Sequence, residues 1–205
     1  LILAHFLKWF CNLTNFTFHG GNIEELDGNI LNVTNCDRGI LYRYCWWRNF
    51  TVTFEFNLLN KAKDRETHDN YIGFVFRAKD LDNYFMISIG YKFEDSTNKK
   101  VLITPHIRFN GEWEVLETKK FPIRGFKVEG FNNTICTVRG TSADLSINNI
   151  AYHWNLPTNF HSIQNEHLKL NDKELFFGDT TLIPFRTVFG MIGFRTWGDE
   201  QAHIK

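Results

Sequence analysis

The sequence predicts an all-β protein, a two-sheet antiparallel sandwich, and three observations carry that expectation. Apolar residues recur at every second position through most of the chain, turn residues separate these runs at near-regular intervals, and no amphipathic helix lies between them. The clearest run is Phe50 to Phe56 (FTVTFEF), where Phe50, Val52, Phe54 and Phe56 share one face and Thr51, Thr53 and Glu55 the other. Its β-branched and aromatic side chains suit a half-buried pleated surface.

The same alternation predicts strands over 29–34, 72–78, 84–91, 101–109, 113–118, 125–129, 134–139, 144–147 and 189–196, and the chain ends at Ile204-Lys205 in strand-like sequence. Asp27-Gly28, Asp80 to Asn83, Asn110-Gly111, Asn132-Asn133 and Asn148-Asn149 read as turns, because Gly, Asn and Asp tolerate the backbone conformations that tight turns need. From Tyr152 to Asp179 the rhythm fails. That polar, histidine-containing stretch is too long for an ordinary connection and reads as an elaborated loop or a partner-binding insertion.

Composition narrows the function classes. A chain of 205 residues fits one all-β domain, and its 21 Phe and 6 Trp suit a thick sandwich interior. Lys plus Arg equals Asp plus Glu at 23 each, so no long-range field favours nucleic acid or an anionic membrane. The apolar start, Leu1 to Phe10, is broken by His5 and Lys8 and falls far short of the roughly 20 residues that span a bilayer. It also lacks the basic start and small-residue cleavage site of a signal peptide. The chain does not begin with Met, and the expectation is a piece of a longer protein.

The four cysteines, Cys11, Cys36, Cys45 and Cys136, form no C-x-x-C pair, so disulfides are expected rather than a zinc knuckle. Cys36 and Cys45 flank a short loop and make the preferred local clasp, leaving Cys11 with Cys136; the other two connectivities stay open. Five N-x-[ST] sequons, at Asn12, Asn15, Asn32, Asn49 and Asn132, exceed the roughly two that chance supplies in an Asn-rich chain. Cysteines and sequons together point to a secreted, cell-surface or lumenal chain.

The order of the pieces carries a resemblance. Asn22 to Val33 (NIEELDGNILNV) resembles the opening strand, Asp-Gly turn, strand of concanavalin A-like lectin/glucanase domains. Tyr71 to Ile89 (YIGFVFRAKDLDNYFMISI) resembles their paired central strands, and Asn110 to Val115, Asn132 to Ile147 and Val188 to His203 fall where the later strands and the closing strand lie. The resemblance is nearest to the levanase-type carbohydrate-binding and 3-keto-disaccharide-hydrolase-like branch, and more distant from laminin G. It implies a jelly roll over residues 22–205, with an N-terminal arm at 1–21 and an insertion at about 152–179.

Three chemistries follow from that resemblance and the residues. Saccharide sites need an apolar ring face and converging planar donors and acceptors. In the predicted strands Arg77 and Arg195 alternate with Phe74, Phe76, Ile192 and Phe194, so both arginines point away from the core, and Trp197, Asp199 and Tyr84 follow in the adjoining loops and strands. These five are the candidate ligand-binding residues. Glycosidases of this superfamily carry paired carboxylates on one strand, and Glu112-Trp113-Glu114-Val115-Leu116-Glu117 imitates that pattern, although a solvated strand face explains it more simply. Many relatives bind a hard cation, and Asp80, Asp82 and Asn83 offer oxygen donors for Ca²⁺, too few for a full shell and equally those of an Asx-rich turn.

The resulting expectation is a non-catalytic recognition module, with no required cofactor, whose partner is a glycan. A protein-protein interaction or structural domain in a larger surface assembly is the alternative, and a glycoside hydrolase comes third.

Overall fold

The structure, a computed structural model, describes residues 16–18, 22–26, 30–34, 40–42, 47, 49–59, 70–93, 99–109, 111–156, 190–197 and 200–205. They form an all-β sandwich of two antiparallel sheets, as the sequence predicts. In chain order the strands are β1 (Phe16–Phe18), β2 (Asn22–Leu26), β3 (Ile30–Thr34), β4 (Ile40–Tyr42), β5 (Phe50–Leu59), β6 (Asn70–Asp80), β7 (Asn83–Phe93), β8 (Lys99–Phe109), β9 (Glu112–Val115), β10 (Lys119–Pro122), β11 (Asn132–Arg139), β12 (Ser142–Ile147), β13 (Ile150–Asn155), β14 (Met191–Arg195) and β15 (Gln201–Ile204).

One sheet runs β1-β4-β14-β6-β7-β8-β10, with β9 also paired to β8; the other runs β13-β12-β11-β5-β15-β3-β2. Neighbours distant in sequence, such as β14 beside β6 and β15 between β5 and β3, give the sandwich its crossovers. The period-two faces meet between the sheets: Phe54 of β5 stacks on Phe74 of β6 with centroids 5.1 Å apart and meets Phe194 of β14 edge-on at the same distance. Trp154 of β13 lies edge-on against Phe76 and Phe85 of the facing sheet. Such aromatic pairs add about 0.5–1.5 kcal/mol each beyond their area burial.

Several expectations change at the element scale. The run at 125–129 is not a strand; Phe126 plugs the gap between the sheets, against Phe56 and Tyr91. Asn132-Asn133 is not a turn but the start of β11. The irregular segment expected from Tyr152 begins later, because β13 runs to Asn155 in full register with β12 and Leu156 is buried. The remainder of the expected insertion lies outside the described residues. So does most of the expected 1–21 arm, though β1 falls within it and pairs with β4.

The cysteine and sequon expectations also meet the fold. Cys11, Cys36 and Cys45 lie outside the described residues. Cys136 sits on the inward face of β11 as a free, buried thiol, and its expected partner Cys11 lies outside the described residues. Burial holds that thiol far above its ordinary pKa, which makes it inert. Asn132 cannot carry a glycan: its amide is 0 % exposed, donates to the Lys127 carbonyl and accepts from the Lys127 N–H and the Asn148 side chain. Asn49 is exposed and Asn32 half-buried, while Asn12 and Asn15 are not among the described residues. Among the described residues no helix is long and apolar enough to cross a membrane.

Candidate functional site

The sheet containing β6, β7 and β8 is buried on both faces near its centre. Its inward residues join the main core, while Val75, Tyr84 and Met86 form a second apolar cluster on the outward face. Gly73 makes room there, since a Cβ at that position would collide with Met86 Sδ and crowd Arg195. Over this floor the arginine of β14 extends sideways rather than out to solvent.

Arg195 is 4 % exposed, and its guanidinium carbon lies 3.6 Å from the Trp197 ring centroid and 4.3 Å from that of Trp113. The two indole centroids are 5.7 Å apart, so the cation fills the notch between them. A desolvated cation over an indole face contributes about 1–2 kcal/mol. Trp197 follows β14 and remains 43 % exposed. Its position is fixed by Glu200: the carboxylate accepts the Trp197 N–H at 2.7 Å and the Tyr71 N–H at 3.0 Å, tying the turn to β6.

Trp113 comes from β9, whose antiparallel register with β8 sets Phe109 opposite Glu112 and Arg108 opposite Trp113. Gly111 has φ +85°, a conformation that favours glycine. Tyr84 meets Trp113 edge-on at 5.6 Å, and the Arg108 guanidinium carbon lies 5.0 Å from its centroid. Arg108 is held by Asp82 at 3.0 Å. His106, on the same outward face of β8, stands edge-on to Trp113 at 5.7 Å and 6.3 Å from Trp197.

The electrostatics follow from burial. His106 is 6 % exposed and donates Nδ1–H to the Thr104 carbonyl at 2.9 Å. Burial, reinforced by the Arg195 charge, lowers its pKa to about 4, so it is neutral at physiological pH. Burial raises the Tyr84 phenol, partly offset by Arg195 and Arg108. The result is a platform of two indoles backed by two guanidiniums and a neutral imidazole.

Of the residues expected from sequence, Arg195, Trp197 and Tyr84 come together here, and Asp199 lies outside the described residues. Arg77 does not join them. The β6–β7 register shifts between Phe76 and Asp80, and Arg77 takes φ +50° in that bulge. Its Nη2 donates to the Gly140 carbonyl in the facing sheet, so it clamps the two sheets. The bulge breaks the alternation that would have pointed Arg77 outward.

Asp80, Asp82 and Asn83 do not converge as a cation shell. Asp80 Oδ1 accepts from the Asp82 N–H and the Asn83 side chain in an Asx turn, and Asp82 serves Arg108. Among the described residues no group of three or more His, Cys, Asp or Glu side chains gathers as a metal site. Sequence reasoning missed His106 and Arg108 and named Trp113 only within the Glu112 to Glu117 run. The Asn110-Gly111 turn was the signal that would have set Trp113 beside Arg108. Glu112 and Glu114 pair with Phe109 and Ile107, so they face the inward side, away from the platform.

No protein-family model matches the chain, and no curated protein sequence matches it. Solved structures do. The chain is similar to a carbohydrate-binding module, CBM66, from Bacillus subtilis, with 14 % identity, TM-score 0.59, and coverage of 93 % of this chain and 92 % of that one. A laminarinase from Flavobacterium sp. UMI-01 is 12 % identical with TM-score 0.53, covering 94 % and 91 %. A Bacillus licheniformis β-glucanase is 9 % identical with TM-score 0.51, covering 93 % and 82 %. Two antiparallel sheets in this order, together with these neighbours, show that the chain has a jelly-roll sandwich fold of the concanavalin A-like type.

Proposed function

We propose that the chain is a non-catalytic, glycan-recognising module of a larger exported protein, with the Trp113–Arg195–Trp197 platform as its binding surface. The observation that carries this reading is an exposed indole held rigid by a buried cation on one side and a carboxylate-pinned backbone on the other. An indole face stacks on the C–H face of a sugar ring, and rigidity lowers the ordering cost of binding. Arg195, Arg108 and His106 supply planar polar groups beside it. The fold neighbours, which include a carbohydrate-binding module and glucan-cleaving enzymes, support a saccharide as the ligand class.

A non-catalytic role is supported by the placement of Glu112 and Glu114 on the face of β9 opposite the platform. A retaining glycosidase needs two carboxylates about 5–5.5 Å apart flanking the bound sugar. Export is supported by the sequons, of which Asn49 is exposed among the described residues. The test is a glycan array followed by calorimetry with fructans, β-glucans and animal glycans on wild-type protein and Trp197→Ala. Binding that the substitution removes supports the reading. Hydrolysis of a bound glycan, abolished by Glu112→Gln, would replace it with an enzyme.

A further inference from the structure

We propose that His106 is the positioning residue of the platform, holding Trp113 and Trp197 in place only as a neutral imidazole, so that acid releases the bound saccharide. The proposal rests on the glycan reading above. Its geometry comes from one ring that touches both indoles: edge-on to Trp113 at 5.7 Å and tilted against Trp197 at 6.3 Å. The Nδ1–H bond to the Thr104 carbonyl, on the same strand, fixes the tautomer and the ring's orientation. Through that ring the rigid β8 strand sets the angle between a half-buried indole and an exposed one.

Adding a proton disrupts this arrangement for a local reason. Among the described residues, the groups around His106 offer a new cation no good partner; the Glu200 carboxylate beside Trp197 is taken by the Trp197 and Tyr71 N–H groups. From β14 comes Arg195, which already fills the notch between the indoles. From its own strand comes Arg108, whose charge is matched by Asp82 of the β6–β7 turn. β7 contributes Tyr84, its phenol held neutral by burial. β9 contributes Trp113 and Val115 on this face, with Glu112 and Glu114 turned to the other. Beyond β9, Glu117 is taken by Lys119 at 2.6 Å. An imidazolium here is a second cation beside Arg195, in a site with little water to solvate it. It gains hydration only by moving out of the contact, and both indoles lose the ring that sets the angle between them.

The burial that lowers the His106 pKa to about 4 places the transition in the acid range. Ligand affinity is then full above that value and falls about tenfold per pH unit below it, the slope of a single proton. The experiment uses whichever of inulin and laminarin the wild-type chain binds at pH 7, titrated from pH 7 to pH 3 alongside His106→Gln. Folding is monitored by far-ultraviolet circular dichroism. The wild-type affinity curve breaks near pH 4 together with a change in tryptophan fluorescence, and both breaks vanish in His106→Gln whatever its affinity at pH 7. A second readout needs no variant: the His106 imidazole resonance titrates at lower pH when the saccharide is present, because the neutral form binds. Trp197-dependent binding that is flat across this range, or an acid break that persists in His106→Gln, overturns the gate alone. Failure of both polysaccharides to bind at pH 7 overturns the gate as stated for them, and failure of every glycan on the array as well overturns the glycan reading itself.

Discussion

At the residue scale, two glycines and an asparagine hold packing that the fold depends on. Gly190 abuts the backbone of Arg77 and Ala78 so closely that a Cβ would overlap main-chain atoms, whereas a Cβ on Gly73 would meet the flexible Met86 side chain. Gly190→Ala is therefore expected to destabilise by about 3 kcal/mol or more, and Gly73→Ala by about 1–3 kcal/mol, measured by urea unfolding. Reversal of that order would contradict the packing described. Asn132→Ala removes the partner of the Lys127 N–H and carbonyl inside the fold and is expected to cost about 1–3 kcal/mol. Peptide mass spectrometry of secreted protein is expected to find Asn132 unmodified.

His153 is the counterpart of His106 with the opposite sign. Hydrogen bonds to Asp144 at 2.6 Å and Asn155 at 3.0 Å raise its pKa on the exposed face of the second sheet. A raised folded-state value favours the native state below the unfolded pKa of about 6.5, and that contribution fades as pH rises through the folded value. The histidine resonance of Asp144→Asn is expected to titrate at lower pH than wild type. An unchanged midpoint would remove Asp144 as the cause.

At the element scale, legibility follows strand length and regularity. β5, β7 and β8 were readable because their alternation runs eight residues or more with β-forming side chains. The three-residue β1 and β4 are too short for a period to show. β10, with the sequence KKFP, carries the lysines and proline of an edge strand and hides among turn-like residues. The site shows the same division. Arg195 and Trp197 were legible because β14 alternates cleanly as far as Arg195. Arg77 was misplaced because two additional residues on β6 break the pattern after Phe76, and no local signal marks that bulge.

At the scale of the whole molecule, the sandwich separates stability from recognition. The aromatic interlock of Phe54, Phe74, Phe194 and Trp154 lies between the sheets, and the platform lies on the outward side of one of them. Cys136 reports on the first layer: its thiol is expected to resist modifying reagents in the native state and to react at the rate of global unfolding. Reaction with the folded protein within minutes would show that the core opens locally around β11. Trp197 reports on the second layer, and its loss should leave thermal stability within a few degrees of wild type.

That separation makes the central claim directly measurable by calorimetric titration of wild-type chain and Trp197→Ala with the saccharide selected on a glycan array. Saturable binding by the wild type is expected, weakened about five- to thirtyfold in Trp197→Ala at an unfolding midpoint within a few degrees of wild type, since one stacked ring is worth roughly 1–2 kcal/mol. Equal affinity in the two proteins, or no saccharide bound by the wild type, would contradict it.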